Sequence, residues 1–495
     1  MSGRRLRQRE PLFTRWTMVV FLVVVIAFSA VMAQLFMSTE VSAFDLAAPF
    51  TDPLFTLPEK IDPETNIAGD ARPAACPANT SFSDPLDLAR AVDIALCNSP
   101  RLKAARAAVR LQAAEVGQAR SAYLPTLSGN VNFMKTRHEY PGSNDQSTTR
   151  DGMTINATLN WRLFDFGGRA ANRKSANSLL IAALALRDAE TRKELAEVIQ
   201  AYFDAVTSQA FLRSREEHET IAGHTLRTAR RREARGVAAR GDTLQATTAL
   251  TRATLEKRRA QGEYRKAEAA LVSIMGIPLR TRVILPEDAA EGGPLARKSL
   301  EEWLRITAES HPSILAARAE MEAAMNKITA ARSEGLPAVD VSAAYYQNGY
   351  PGQGISSTDS RVATVALSIS LPIFDGFSRT YKIRGAEALA ERKNAELLET
   401  GQSTLLEIIK AHTDAETSLS NLDVSEQLLR IAMESLNVAQ RRYEKGAADI
   451  LEVLHTQAAL ADARQESIRW LALWRCARLR LMAATGVLGR DELKR

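Results

Sequence analysis

Asp449, Glu452 and His455 stand three residues apart, which places two carboxylates and an imidazole on one face of a helix. The residues between them, Ile450, Leu451, Val453 and Leu454, are apolar and point mainly elsewhere. Such a stripe meets either bulk water or a symmetry axis, and the spacing leaves both open. On an axis, the carboxylates would repel one another and favour cation occupancy. A second charged feature is the run Arg227, Arg230, Arg231, Arg232, Arg235 and Arg240. It reads either as a contact for a partner protein or as a solvated helix face. Cys76 and Cys97 could pair in an oxidising compartment and staple a Pro-rich segment onto the first helix. The alternative is a loose thiol at Cys76 and a buried one at Cys97, and Cys476 reads as a packed free thiol.

The patterns of enzyme chemistry are missing. His138, His218, His224, His311, His412 and His455 form no HExxH, and no CxxC occurs. Gly349-x-x-Gly352-x-Gly354 falls in a polar loop rather than at a strand-to-helix turn, so a nucleotide site is a poor reading. The chain is therefore expected to be no enzyme and to need no cofactor and no metal. The net charge of +6 is concentrated at the start: residues 1–43 hold five arginines against two glutamates. The remainder is close to neutral for 495 residues, which argues against a nucleic-acid partner. With 45% hydrophobic and 25% charged residues, the chain is neither a disordered tail nor a polytopic helical membrane protein.

Residues 1–43 read as a signal peptide. A basic segment precedes the uncharged run Met18 to Met37, and Val41-Ser42-Ala43 fits a small-x-small cleavage site. The run is long enough to span a bilayer, so a retained anchor is the alternative. No cysteine follows it directly, so a lipid-attachment signal is absent. Either way the body of the protein leaves the cytoplasm, beginning with a Pro-rich segment over residues 44–85.

What positions the charged residues is a sequence written twice. Ser99-Pro100, then Ala104-Ala105-Arg106-Ala107, matches His311-Pro312, then Ala316-Ala317-Arg318-Ala319, at an offset of 212. Ala119-Arg120-Ser121 leading to Leu124-Pro125 matches Ala331-Arg332-Ser333 leading to Leu336-Pro337. The offset then becomes 210: Phe164-Asp165 and Arg169 match Phe374-Asp375 and Arg379, Gly236 matches Gly446, and Gly276 matches Gly486. The repeats occupy residues 86–276 and 298–489, joined by a linker over 277–297 and followed by a tail over 490–495.

Each repeat reads as a helix, two strands and a much longer helical stretch with one Gly interruption. The pattern from Pro85 to about Ala122 is helical and stops at Leu124-Pro125. A period of two follows. Met153, Ile155, Ala157, Leu159, Trp161 and Leu163 alternate with Thr154, Asn156, Thr158, Asn160 and Arg162, and Leu127, Val131 and Phe133 behave likewise. In the second repeat, Val339, Val341, Ala343 and Tyr345 share one face, as do Val365, Leu367, Ile369 and Leu371. Strands of about 10 to 12 residues can cross a membrane when tilted. A soluble sandwich alternates in the same way. The polar, Gly/Pro-rich segments 138–151 and 350–361 and the aromatics near strand ends (Phe133, Tyr140, Trp161, Phe164, Phe166, Tyr345, Tyr346, Tyr350, Phe374, Phe377) favour the membrane.

From Gly168 to Gly236, one continuous helix would reach about 100 Å, and the return arm to Gly276 about 60 Å. Such helices need coiled-coil packing, and Leu429, Ala432, Leu436, Ala439, Tyr443 and Gly446 recur three and four apart. Four strands cannot close a barrel and two hairpins cannot close a tube, so protomers must associate around an axis. Three protomers of four strands would give a 12-stranded barrel, within the range of outer-membrane barrels. A pore-free periplasmic coiled-coil scaffold is the rival of a different class.

The paired Pro100 and Pro312, the two Leu-Pro stops, the two Phe-Asp turns and Arg442-Tyr443-x-x-Gly446 together resemble the TolC family of outer-membrane ducts, from Leu86 to Gly489. The resemblance implies a mostly α fold with membrane β. It would be a homotrimer with a 12-stranded β-barrel in outer-membrane lipid and a long α-helical coiled-coil tunnel through the periplasm of a Gram-negative cell. It also implies two partners, a periplasmic adaptor protein and an inner-membrane ABC transporter. The absent lipid signal and the Cys76/Cys97 pair look like the type I secretion branch, whose substrate is a secreted protein such as an adenylate cyclase–haemolysin toxin. Small-molecule or metal efflux is the runner-up. As periplasmic gate residues the resemblance implies Asp242, six after Gly236, with Tyr443 and Glu452. Asp449 and His455 share the stripe of Glu452. The chain departs from the family in having Ala448 in place of an arginine and His455 in place of an aspartate. Its closing contact is therefore expected to differ.

Overall fold

A computed structural model describes residues 52–54, 56, 84–139, 147–286, 299–348 and 360–489. The chain divides into two units, residues 1–55 and 56–495. Within the first, the described residues form a turn. The signal peptide, Cys76, the 490–495 tail, Tyr140, Tyr350 and most of segment 44–85 lie outside the described residues. Cys97 is not a free thiol, whereas Cys476 is free and buried.

The stretch read as one helix from Pro85 to Ala122 is two, α1 (Leu88–Asn98) and α2 (Pro100–Ser121). Pro100 has no N–H and a fixed φ, which suits the first position of a new helix and not the interior of an old one. The Ser99 hydroxyl accepts from the N–H of Leu102 at 3.4 Å and caps α2. The second repeat breaks in the same place. After β1 (Thr126–Glu139), β2 (Ser147–Phe164), α3 (Gly168–Ala234) and α4 (Arg240–Ile274) come α5 (Leu300–Ser310) and α6 (Pro312–Ser333). Then follow β3 (Ala338–Gln347), β4 (Arg361–Ser370), α7 (Ser378–Glu444) and α8 (Ile450–Thr485). No helix among the described residues is long and apolar enough to cross a membrane.

At 67 residues each, α3 and α7 are about 100 Å long. The returning helices α4 and α8, of 35 and 36 residues, cover only part of that length. The remainder of α3 is covered by α2 and α6, and the remainder of α7 by α6 and α5. The end of α4 at Gly276 abuts Asn98, just before the start of α2, so α4 and α2 run on as an interrupted second rod. At this junction sits the largest core, formed by Leu86 to Leu102, Leu195 to Ala205 of α3, Leu271 to Ile277, and Cys476 to Leu488. The expected coiled-coil positions Ala432, Leu436, Ala439 and Tyr443 are buried against Ile450, Val453 and Leu460.

All four strands form one antiparallel sheet in the order β1-β2-β3-β4, with β2 and β3 joining the two repeats. The expected faces hold across the pairings as far as Trp161; beyond Arg162 a bulge sets Phe164, and not the expected Leu163, opposite Val339. Leu127, Leu159, Ala343 and Val365 lie in one row, and Trp161, Val341 and Leu367 in another. The reverse face carries Asn130, whose amide donates to Asn156 at 3.0 Å, and Arg162, paired with Asp340 at 2.9 Å. The apolar face is open: Leu127, Val131, Phe133, Val365, Leu367 and Ile369 are each more than half exposed. At 14 and 18 residues, β1 and β2 exceed the expected strand length, while β3 and β4 have 10 each.

The two Phe-Asp turns are elbows from strand to helix. Phe166 and Phe377 have φ of 48° and 66°, beside Gly167 and Gly376 at 91° and 64°. Asp165 and Asp375 accept the N–H of Arg169 and Arg379 at 2.8 and 3.0 Å, satisfying a donor of the new helix. The Arg169 guanidinium donates to the carbonyls of Ala122, Arg162 and Leu163, clamping helix end, strand end and elbow together.

Two outcomes are expected. If the apolar face meets lipid, Leu159→Arg loses about 2 to 4 kcal/mol and lowers the yield of assembled protein in membranes, while Asn160→Arg on the reverse face is milder. Equal yields would reject the face assignment. The second concerns His311, whose Nδ1 accepts the N–H of Ser313 at 3.3 Å and caps α6. Burial, with the Arg192 charge beside it, lowers the His311 pKa from 6.5 to about 4. Because the folded value lies below the unfolded one, the stability from a neutral imidazole is full above about pH 6.5. It is lost as pH falls towards about 4. Thermal melts should show a loss on the order of 1 kcal/mol over this range, allowing for solvent screening of a part-exposed group. His311→Asn, which keeps an acceptor at the cap, should remove that part of the pH dependence.

Candidate functional site

The charged residues singled out in the sequence meet at the far end of the helices, where each hairpin turns. Gly236 and Gly446 adopt φ of 72° and 78°. At the first tip, Val237 N–H reaches the Arg232 carbonyl at 3.1 Å and Gly236 N–H that of Glu233 at 2.9 Å. Ala447 and Gly446 repeat both bonds to Arg442 and Tyr443 at 2.8 and 3.0 Å. This double closure satisfies the last carbonyls of a helix and needs a left-handed residue, which explains both glycines.

Tyr443 lies at the centre of the tip and is 3% exposed. The Arg232 guanidinium, from the other hairpin, sits 4.6 Å from its ring centroid and donates to its backbone carbonyl. Burial raises the pKa of the Tyr443 phenol; the Asp242 carboxylate adds to this, Arg232 opposes it, and Asp449 adds further. The expected gate residues Asp242 and Tyr443 are thus electrostatic neighbours. Arg232 leaves the group in which the sequence placed it. Arg230, Arg231 and Arg235 are exposed, whereas Arg232 is turned inward onto Tyr443. A cation in that position is held by an aromatic face instead of a partner's carboxylate.

Glu452 is not an unpaired acid on a stripe: Arg442 donates to it at 2.8 Å across the turn of the second hairpin. Asp449 and His455 are exposed. The repeat offset makes Arg232 the counterpart of Arg442, and Asp242 that of Glu452. Both tips therefore carry an arginine and a carboxylate ten residues apart. The second tip closes this pair within itself. In the first, no ion pair joins Arg232 to Asp242 among the described residues, and the arginine crosses to the neighbouring hairpin. That shared spacing is the signal in the sequence that sets Arg232 apart from the other arginines of its run.

Three further contacts tie the hairpins together above the tip. Gln457 donates to Thr225 at 2.5 Å, with both residues buried. Arg464 pairs with Glu217. Arg215 reaches Gln465 at 2.5 Å and Glu256 at 2.9 Å. Against Glu256 lies His218, whose pKa burial lowers. Among the described residues no group of His, Cys, Asp and Glu could hold a metal ion. The site can hold two hairpins together or let them part, and its bonds are polar and reversible.

Arg232→Ala should loosen both hairpins, and Arg442→Ala only the second. Hydrogen exchange followed by mass spectrometry would read this over residues 226–236 and 436–446. Loss of a cation–π contact and a charged hydrogen bond should raise local opening roughly tenfold. Unchanged exchange over 436–446 in Arg232→Ala would reject a bridging role.

The outer membrane efflux protein family matches residues 91–277 and 303–487, one match for each repeat. Protein CyaE of Bordetella pertussis is 33% identical over 433 residues, 86% of this chain and 90% of the relative. The alkaline protease secretion protein AprF of Pseudomonas aeruginosa is 23% identical over 81% of this chain and 84% of its own length. The crystal structure of VceC from Vibrio cholerae superposes with a TM-score of 0.71 at 20% identity, over 81% of this chain and 96% of that one, which shows the fold. The chain belongs to the outer membrane efflux protein family and is an outer-membrane channel of TolC-like fold.

Proposed function

We propose that the chain is the outer-membrane duct of a type I secretion system, passing an unfolded protein from the cytoplasm to the exterior. It would work as a homotrimer with a periplasmic adaptor and an inner-membrane ABC transporter. The observation that carries this reading is the likeness to Protein CyaE over nearly the whole of both chains. The likeness to AprF, a protein named for protease secretion, points the same way. A secreted protein is the substrate class this suggests, and a toxin of the adenylate cyclase–haemolysin kind is the candidate that the family resemblance of the sequence implies. A trimer is supported by what one protomer leaves open: the edges β1 and β4, and the exposed Leu398, Val424, Ile431 and Val438 along α7. Around a threefold axis, Asp449, Glu452 and His455 would form a ring at the tunnel entrance, with Glu452 restrained by Arg442. The exposed Arg230, Arg231 and Arg235 would meet the adaptor or transporter.

The test is complementation. A Gram-negative host lacking its own ducts, supplied with an ABC exporter, its adaptor and their protein substrate, should release that substrate into the medium only when this chain is present. If the chain instead restores drug resistance with a proton-driven pump and releases no protein, the secretion reading is wrong. Small-molecule efflux, the activity in the family's own name, then takes its place.

A further inference from the structure

The outward face of the sheet changes character near one end, where cations enter it: Arg361 of β4 in the row of Val131 and Ile155, and further cations beyond the next row on β1. On β2 the apolar face runs from Phe164, set opposite Val339 by a bulge, to Met153, about 34 Å along the strand. Tilted by about 45°, it covers about 24 Å, close to the apolar band of an outer-membrane barrel. Its last row pairs Phe133 with Met153, and Phe133 is 81% exposed. All helices join the sheet at the opposite end, so this row lies at the outer rim. Beyond it β1 and β2 continue together. β2 pairs with β3 only as far as Ile155, whereas its pairing with β1 extends to Ser147. The next residues of β1 on the same face are Lys135 and Arg137, both exposed, opposite Asp151 and Thr149. Arg150, opposite Thr136, belongs to the reverse face.

We propose that Lys135 and Arg137 dock the phosphate groups of an outer-leaflet lipid headgroup, with its acyl chains lying along Phe133, Val131 and Leu127. This rests on the barrel reading of the sheet. Two cations immediately above an open apolar row match a molecule with phosphate at one end and hydrocarbon at the other. A soluble anion would leave the exposed apolar row uncovered. The Asp151 carboxylate opposite Lys135 opposes binding and sets its strength. No ion pair joins the two among the described residues.

The test uses the full-length protein purified in detergent, with bisphosphorylated lipid A as probe and native mass spectrometry to count retained lipid. Wild type should retain lipid A in preference to its dephosphorylated form. K135A/R137A should cut retention at least about fivefold, since each basic residue at an anionic surface contributes about that factor. R150A should change nothing. D151N removes no cation and should raise retention, which keeps the test decidable if the double variant assembles poorly. Equal retention by wild type and the double variant, unchanged retention in D151N, or an equal loss in R150A would each overturn the site. Displacement of lipid A by millimolar inorganic phosphate would show that the cations bind free phosphate, and would overturn the lipid as occupant. Failure of the wild type to enter vesicles of outer-membrane lipid overturns the barrel and the site together. Insertion with equal retention in all variants removes only the lipid site.

Discussion

A helix about 100 Å long with an apolar seam must be covered along its whole length, and most of the architecture follows from that need. Neither α3 nor α7 can be covered by its own returning arm, because α4 and α8 are only about half as long. The shortfall is met by α2 and α6, which reach the long helices only because Pro100 and Pro312 start new helices at the junction. The largest core forms at that junction and binds α1, α3, α4 and α8 to one another. The protomer is thus built around a knot near its middle, with a sheet at one end and two hairpin tips at the other.

Away from the knot, the packing thins and polar contacts take over. The core at the tip of the first hairpin is Leu226, Ala229 and Ala246, a small set of mostly small side chains. Among the contacts that join the hairpins there are Arg232 on Tyr443 and Gln457 on Thr225, worth about 1 to 2 kcal/mol each, and the packing of Ile221 against the core of the second hairpin. Hairpins held by such bonds are joined more weakly at their tips than the helices are at the largest core. The duplicated Arg-to-carboxylate spacing also shows how a repeat gains two roles. One copy stiffens its own turn through Arg442 and Glu452, and the other sends its arginine across.

The sheet inverts the usual rule of burial. Its reverse face carries Asn130, Asn156, Arg162 and Asp340, while leucines and phenylalanines face outward and stay open. That arrangement is costly in water and favourable in lipid, as befits an outer-membrane channel. The elbows at Asp165 and Asp375 fix the angle between this lipid-facing layer and the helices, so the tunnel continues from the sheet without a flexible joint.

The period of each segment was legible in the sequence, and it determined the duplication, the strand faces, the long helices and the hairpin turns. Those features depend on local chemistry: alternation, prolines without a donor, glycines at positive φ. The breaks at Ser99-Pro100 and His311-Pro312 were visible as repeated punctuation. That they end one helix and start another became clear only when the core packed around them. At the tips the sequence offered residues without their pairings. Arg232 looked like one of a run of exposed arginines, and Glu452 like a free acid on a stripe. Only the tertiary structure decided that Arg232 faces Tyr443 and that Glu452 is held by Arg442. The choice depends on which side of each helix the neighbouring hairpin occupies. That is set by packing between segments some two hundred residues apart, which no local pattern encodes.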